Sequence, residues 1–181
     1  SPEEDINKLR NLLSTGDRFF QLGQQEKAME SYQQALNLSR KLRILDGFVL
    51  SLNNIGFMYQ VWGQYDKAIE NYQQVLAIAK RLGKEDQIAL SFHKIGQVYQ
   101  SWRHYDKAME NFQQALTLYR ELGEKNGIAS SLYNIGTVYT SLKQYDKAME
   151  NLRQALTLYR ELGAKDWIIL SLKSIGFVYQ V

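Results

Sequence analysis

The chain has 181 residues, of which 45% are hydrophobic and 23% charged, which is ordinary usage for a soluble globular protein. Its formal net charge of +3 is small, and its lysines and arginines are dispersed, so the composition argues against nucleic acid as a partner. The absence of cysteine excludes a disulfide framework and a thiolate metal site and is typical of a reducing compartment, so we expect a cytoplasmic protein.

The N-terminus, SPEEDINKLR, is polar and acidic, unlike a signal peptide. Ser1 followed by Pro2, Glu3 and Glu4 predicts the start of a helix, with proline in the first turn and acidic side chains at its positive end. No apolar run reaches the roughly eighteen residues that a membrane span needs, so we expect no membrane partner.

A period of forty residues runs through the whole chain. YDKAMENFQQALTLYRELG begins at Tyr105, and the nearly identical YDKAMENLRQALTLYRELG begins at Tyr145. Glycine and alanine recur at the same interval, at Gly16, Gly56, Gly96, Gly136 and Gly176 and at Ala28, Ala68, Ala108 and Ala148. Such a repeat predicts one structural unit used several times.

Each unit predicts two amphipathic helices, which we call A and B. In the second unit, Leu52, Ile55 and Met58 have the spacing of one helical face, and Ala68 and Tyr72 continue the pattern in helix B. Glycines predict the helix ends, Gly63 for helix A and Gly83, Gly123 and Gly163 for helix B. Asp86, Asn126 and Asp166 are the N-cap candidates for the A helices that follow.

The glycine inside every A helix predicts close packing between helices. Glycine in a helix interior costs about 1 kcal/mol relative to alanine. Its return in each unit therefore indicates a place where a neighbouring helix leaves no room for a side chain.

The pattern of Leu52, Ile55, Gly56, Tyr59, Ala68, Tyr72 and Val75 resembles the tetratricopeptide repeat (TPR) family, in the forty-residue variety of kinesin light chains, G-protein adaptors and some bacterial signalling proteins. The resemblance implies an all-α, right-handed superhelical solenoid of antiparallel helix pairs, with four units and a final helix. We expect one domain over residues 1–181, with repeats at about 9–48, 49–88, 89–128 and 129–168 and a partial fifth unit at 169–181.

No set of residues in the chain predicts catalysis, a cofactor or a metal site. His93 and His104 lie eleven residues apart, about 16 Å along one helix, and both are predicted to be surface residues. The acidic residues and lysines of the DKA segments recur in every unit, which indicates helix-start electrostatics rather than a unique catalytic pair. We therefore expect no enzyme.

A variable stripe on the A helices is the predicted binding surface, because stacked repeats build their concave face from helix A. The stripe lies away from the apolar face. Its residues would also vary from unit to unit if they were simply solvated, because nothing packs on them. Large apolar side chains at Phe57 and Phe177 argue for a binding role. The full set is Asn53, Asn54, Phe57, Gln60, His93, Lys94, Gln97, Gln100, Tyr133, Asn134, Thr137, Lys173 and Phe177, continued by Ser14, Thr140, Ser174 and Gln180.

The expected function is a scaffold that binds a peptide segment or a partner helix. The resemblance implies that Asn54 and Asn134 hold the backbone of a bound peptide, and an amide side chain offers both a donor and an acceptor for this. His93, Lys94 and Lys173 favour a ligand with an acidic segment. The alternatives are a sensor domain for a signalling peptide and a self-association or spacer module.

The last helix lacks a following helix B in this sequence. We expect part of the face carrying Ile175, Val178 and Tyr179 to be exposed, with either a longer protein or self-association through the C-terminal helix as the consequence.

Overall fold

The computed structural model describes residues 1–181, which form nine α-helices joined by short turns and no strand. The A helices are α1 (Pro2–Gln21), α3 (Leu45–Val61), α5 (Glu85–Ser101), α7 (Lys125–Ser141) and α9 (Lys165–Gln180). The B helices are α2 (Gln25–Leu42), α4 (Tyr65–Leu82), α6 (Tyr105–Leu122) and α8 (Tyr145–Glu161). The predicted all-α repeat of helix pairs is confirmed.

The helices fall into two compact units, residues 1–75 and 76–181, with the boundary inside α4. In the first unit α2 packs on α1 and on α3. In the second unit each helix from α5 to α9 packs on the next one along the chain. The A helices of this unit also contact one another, α5 with α7 and α7 with α9, so they share one face.

The first helix begins as its sequence predicts. The Ser1 hydroxyl accepts a hydrogen bond from the backbone N–H of Glu4 at 3.3 Å, and the Glu4 carboxylate accepts one from the amino group of Ser1 at 3.0 Å. This capping box satisfies donors that the first turn of a helix leaves free.

The repeated glycines lie where two helices approach closely, as predicted. A Cβ atom added to Gly136 would lie 2.7 Å from Cγ of Leu152, and one added to Gly56 would lie 2.9 Å from the ring of Tyr72. The side chain that covers the glycine comes from the B helix of the same pair. Gly176 of α9 differs, because an added Cβ would meet nothing within 4 Å.

The predicted glycine stops are confirmed, but the predicted N-caps are wrong. Gly63, Gly83, Gly123 and Gly163 all adopt φ between 64° and 72° at helix ends. The A helices then begin earlier than expected, with Lys84, Glu124 and Ala164 in the cap position and no side-chain cap bond. The reversal at each glycine is so tight that the helix resumes after a single residue, and Asp86, Asn126 and Asp166 already lie inside the first turn.

Three non-glycine residues take the same left-handed conformation at equivalent helix ends. Arg43, Arg103 and Lys143 have φ of 57°, 62° and 59°. Side chains with a Cβ are strained there by roughly 1 kcal/mol or more. Replacement by glycine would relieve this strain and so stabilise the folded chain. Part of that gain in stability is offset by the greater freedom of glycine in the unfolded chain.

We expect each single replacement, Arg43→Gly, Arg103→Gly or Lys143→Gly, to raise the free energy of unfolding by about 0.5–1 kcal/mol. Urea denaturation followed by circular dichroism measures this. Gln24→Gly is the control. Gly23 already provides the glycine at that helix end, so a further glycine at position 24 should lower stability. Loss of stability in all three variants would contradict the strain assigned to these positions.

Candidate functional site

Side chains of the predicted stripe meet across neighbouring A helices of the second unit. The amide nitrogen of Asn134 lies 3.3 Å from Nε2 of His93, and Gln100 donates to the hydroxyl of Thr137 at 2.8 Å. These two pairs join α5 to α7. The hydroxyls of Tyr133 and Ser174 lie 3.1 Å apart and join α7 to α9. We call this surface of α5, α7 and α9 the A face.

The A face is only partly exposed. Lys94, Gln97 and Gln100 of α5 and Tyr133, Asn134 and Thr137 of α7 are all half-buried, while Lys173 and Phe177 of α9 are exposed. Freely solvated side chains would not bond to each other from helix to helix. The stripe is therefore a structured polar surface in this unit.

In the first unit the stripe is more apolar. Phe57 of α3 is 44% exposed, and its ring lies edge-on to the ring of Phe20 of α1 with centroids 5.5 Å apart. Asn53, Asn54 and Gln60 beside it are half-buried. Phe20 does not belong to the predicted stripe, which included only Ser14 from α1.

His93 is buried, and its prediction as a surface residue is wrong. Only 8% of the residue is exposed, its ring packs on Phe112 with centroids 5.6 Å apart, and Nδ1 has no hydrogen-bond partner. Burial, with a smaller contribution from neighbouring Lys94, lowers the pKa of His93 to about 4. The other histidine, His104, is exposed as predicted and precedes α6.

The positive charge on the A face is therefore smaller than the sequence suggested. His93 is neutral at pH 7 because of its lowered pKa, so it adds no charge. Burial also lowers the pKa of Lys94 from its ordinary value. Lys94 and Lys173 remain as the cationic side chains of this set.

Asn134 is already engaged on one side. A carboxamide nitrogen can only donate, so Nε2 of His93 is the acceptor in their contact. The Asn134 backbone carbonyl accepts from the Thr137 hydroxyl at 2.8 Å. The contact with His93 orients the Asn134 side chain and uses one N–H of its amide, which leaves the other N–H and the carbonyl oxygen for a ligand.

The repeated lysines of the DKA segments have a role that spacing alone did not reveal. Lys107 lies over the ring of Tyr99 at 5.3 Å from the centroid, and Lys147 lies over Tyr139 at 5.5 Å. Each contact joins a B helix to the A helix before it. Cation–π contacts of this kind contribute on the order of 0.5–1 kcal/mol at exposed sites.

The apolar face of α9 is partly covered and partly open. Ile175 and Val178 are buried in a cluster with Ala148, Leu152 and Leu156 of α8, so only part of the face is exposed, as expected. Tyr179 is 68% exposed and Phe177 is 56% exposed.

Nowhere do three or more histidine, aspartate or glutamate side chains come together as a metal site would require. None of the nine helices combines the length and apolar character needed to cross a membrane.

The repeat defines the family. A family model described as Tetratricopeptide repeat matches residues 48–121 and 105–161, and another described as TPR repeat matches residues 16–42. These matches cover more than half of the chain, and the chain belongs to the tetratricopeptide repeat family. No curated protein is significantly similar to it in sequence.

Solved structures share the fold at low sequence identity. BtubC (BKLC) from P. vanneervenii is 22% identical, with a TM-score of 0.79 over 99% of this chain and 81% of that one. A putative kinesin light chain with nearly identical TPR-like repeats from Podosopora anserina is 22% identical, with a TM-score of 0.76 over 99% and 87%. A Rap protein complexed with Competence and Sporulation Factor is 18% identical, with a TM-score of 0.83 over 97% and 52%.

The family assignment gives the general class of function. Tetratricopeptide repeats are protein-interaction modules, and this chain has their repeated helix pairs.

Proposed function

We propose that the chain is a non-catalytic cytoplasmic scaffold that binds a polypeptide segment on the stripe of its A helices. The observation that carries the proposal is the contact of the variable side chains from helix to helix. Two pairs, His93 with Asn134 and Gln100 with Thr137, order a polar surface. The donors and acceptors that remain free on this surface are then already oriented when a ligand arrives. Preorganisation of this kind lowers the entropy that binding must overcome.

The side chains of the stripe favour a particular ligand. Lys94 and Lys173 supply positive charge on α5 and α9, and Phe177 supplies an exposed aromatic ring. A segment that combines acidic residues with an apolar side chain would complement them. Because Lys94 is half-buried, a carboxylate beside it would interact more strongly than one in open solvent.

The Asn54→Ala/Asn134→Ala double variant tests the proposal on peptides selected from a random displayed library against the whole chain. We expect the selected peptides to bind it about ten- to a hundredfold more weakly, since an unpaired backbone group in the ligand costs about 1–3 kcal/mol. Fluorescence anisotropy with labelled peptides measures the dissociation constants.

Gln113→Ala is the matched control, because Gln113 is exposed on α6, outside the A helices. It should leave the affinities unchanged. If every selected peptide bound the double variant as tightly as the unaltered chain, the role of Asn54 and Asn134 in holding the peptide backbone would be wrong.

A second candidate function is association through α9, and the exposure of Phe177 and Tyr179 favours it. Without another partner, two chains should associate weakly through this helix. Sedimentation over a hundredfold concentration range, repeated with Tyr179→Glu, distinguishes this from a monomer. A sensor role for the A face would instead appear as a change in shape on peptide binding, measured by small-angle scattering.

A further inference from the structure

A regular offset links two of the side-chain contacts between neighbouring A helices of the second unit. His93 of α5 meets Asn134 of α7, and Tyr133 of α7 meets Ser174 of α9, and each pair is 41 residues apart. Because the repeat is forty residues long, His93 and Tyr133 occupy one position of the stripe, which we call the holding position. Asn134 and Ser174 occupy the next one, the held position. In this unit the holding residue of one A helix bonds the held residue of the A helix that follows.

The imidazole of His93 is a fixed hydrogen-bond acceptor. The Asn134 amide nitrogen, 3.3 Å away, can only donate, so Nε2 accepts and the proton of the neutral ring lies on Nδ1. The ring packs on Phe112 and is almost completely buried, which leaves it little freedom to turn. Burial also lowers the pKa of His93 to about 4, so the ring stays neutral at pH 7 and Nε2 keeps its lone pair.

This acceptor decides which way the Asn134 carboxamide faces. The last torsion of an asparagine side chain is broad and roughly twofold, so a free carboxamide can exchange the places of its oxygen and nitrogen. Opposite Nε2 the two orientations are unequal. With the nitrogen towards His93 a hydrogen bond forms, whereas the reversed amide would bring its oxygen against the lone pair of Nε2. One orientation therefore predominates.

Asn54 is the equivalent held residue of α3, and it differs in what precedes it. The residue 41 positions earlier is Leu13 of α1, whose side chain has no atom that accepts a hydrogen bond. Asn54 and Asn134 are both half-buried, so exposure does not distinguish them. Nothing at the holding position before Asn54 favours one orientation of its carboxamide. The chain thus contains a natural comparison for the effect of His93.

We propose that His93 is a positioning residue for ligand binding: it holds the Asn134 carboxamide in one orientation, so that its free N–H and its carbonyl oxygen meet a peptide group of the ligand main chain in a fixed order. A donor and an acceptor together match a peptide group, which carries both, but not a carboxylate, which only accepts. His93 acts through Asn134 without touching the ligand. The inference rests on the proposed function and assigns the ligand main chain, rather than an acidic side chain, to Asn134.

The orientation is measurable on the whole chain without a ligand. In long-range ¹⁵N–¹H NMR spectra at pH 7, we expect His93 to carry its proton on Nδ1 and to show an unprotonated Nε2. The Nε2 signal should shift in Asn134→Ala, which removes the donor. Asn54→Ala is the matched control and should leave it in place. A His93 with its proton on Nε2 would overturn the inference, because the Asn134 nitrogen could not then donate to it.

Peptide affinity shows whether His93 acts through Asn134. The probes are the peptides selected from the displayed library, measured by fluorescence anisotropy. His93→Leu removes the acceptor and should weaken binding about five- to tenfold, whereas His93→Gln keeps an acceptor and should weaken it by at most about twofold. In an Asn134→Ala background His93→Leu should have no further effect, since the residue that it positions is absent. In an Asn54→Ala background its effect should remain.

Two results distinguish failure of this inference from failure of the proposed function. Equal weakening by His93→Leu with and without the Asn134 side chain would show a general effect on packing. It would overturn the inference and leave the proposed function standing. Unchanged peptide affinity of Asn134→Ala would show that Asn134 does not hold the ligand, and it would overturn the proposed role of Asn134 and this inference together.

Discussion

Gly136→Ala should lower the free energy of unfolding by about 2 kcal/mol, whereas Gly176→Ala should raise it by about 1 kcal/mol. The two glycines occupy the same place in the repeat, and alanine improves helix propensity at both. At Gly136, however, the new methyl group would lie 2.7 Å from Cγ and 3.2 Å from the backbone nitrogen of Leu152, atoms that cannot move without shifting α8. At Gly176 it would meet nothing, so only the gain in helix propensity remains.

Urea denaturation of the two variants, followed by circular dichroism at 222 nm, gives both free energies. The comparison is internal, because the same substitution is made in the same helix register. Equal effects of the two substitutions would show that helix propensity alone decides, and that close packing against the B helix has no measurable cost at Gly136.

Acidification from pH 7 to pH 4 should remove about 3 kcal/mol of stability through His93 alone. The pKa of this imidazole falls from 6.5 to about 4 on folding because burial opposes its charged form. Between these values the unfolded chain binds more protons than the folded chain. Stability is therefore complete above pH 6.5 and is lost as the pH falls towards 4.

The groups around His93 give the imidazolium no compensation. Lys94 repels it, Phe112 is apolar, and the Asn134 amide nitrogen that faces Nε2 can only donate. Nδ1 is buried without a partner, so no carboxylate accepts a hydrogen bond from it. Protonation would therefore require the Asn134 amide to turn its oxygen towards Nε2, or the contact between α5 and α7 to break.

His93→Gln isolates the effect, because glutamine does not titrate and can still accept a bond from Asn134. The unfolding free energies of the variant and of the unaltered chain, measured by urea titration from pH 8 to pH 4, should converge as the pH falls. His104→Gln, at an exposed position, is the matched control. Parallel curves for His93→Gln and the unaltered chain would show that His93 is not buried in solution.

The repeat and its helix pairs could be predicted because they depend on local spacing that returns at every fortieth residue. Leu52, Ile55 and Met58 show one apolar side of α3, and all three are buried. Gly63 and Gly83 end helices because a left-handed residue there favours glycine. The close packing at the glycine inside each A helix was predicted for the same reason. Glycine there lowers helix stability, so its return in every unit indicates that packing requires it.

The state of each side chain in the candidate site depended on what lies across from it, which periodicity does not report. His93 occupies a stripe position by spacing, yet Phe112 from α6 and Asn134 from α7 enclose it. Spacing placed Ile175 and Val178 on a face that was expected to be partly exposed, and the packing of α8 decides that these two residues are the covered part. Helical spacing determines which residues share a face of a helix. Only the packing of neighbouring helices determines whether that face meets water, a ring or an amide, and through this the charge and availability of each side chain.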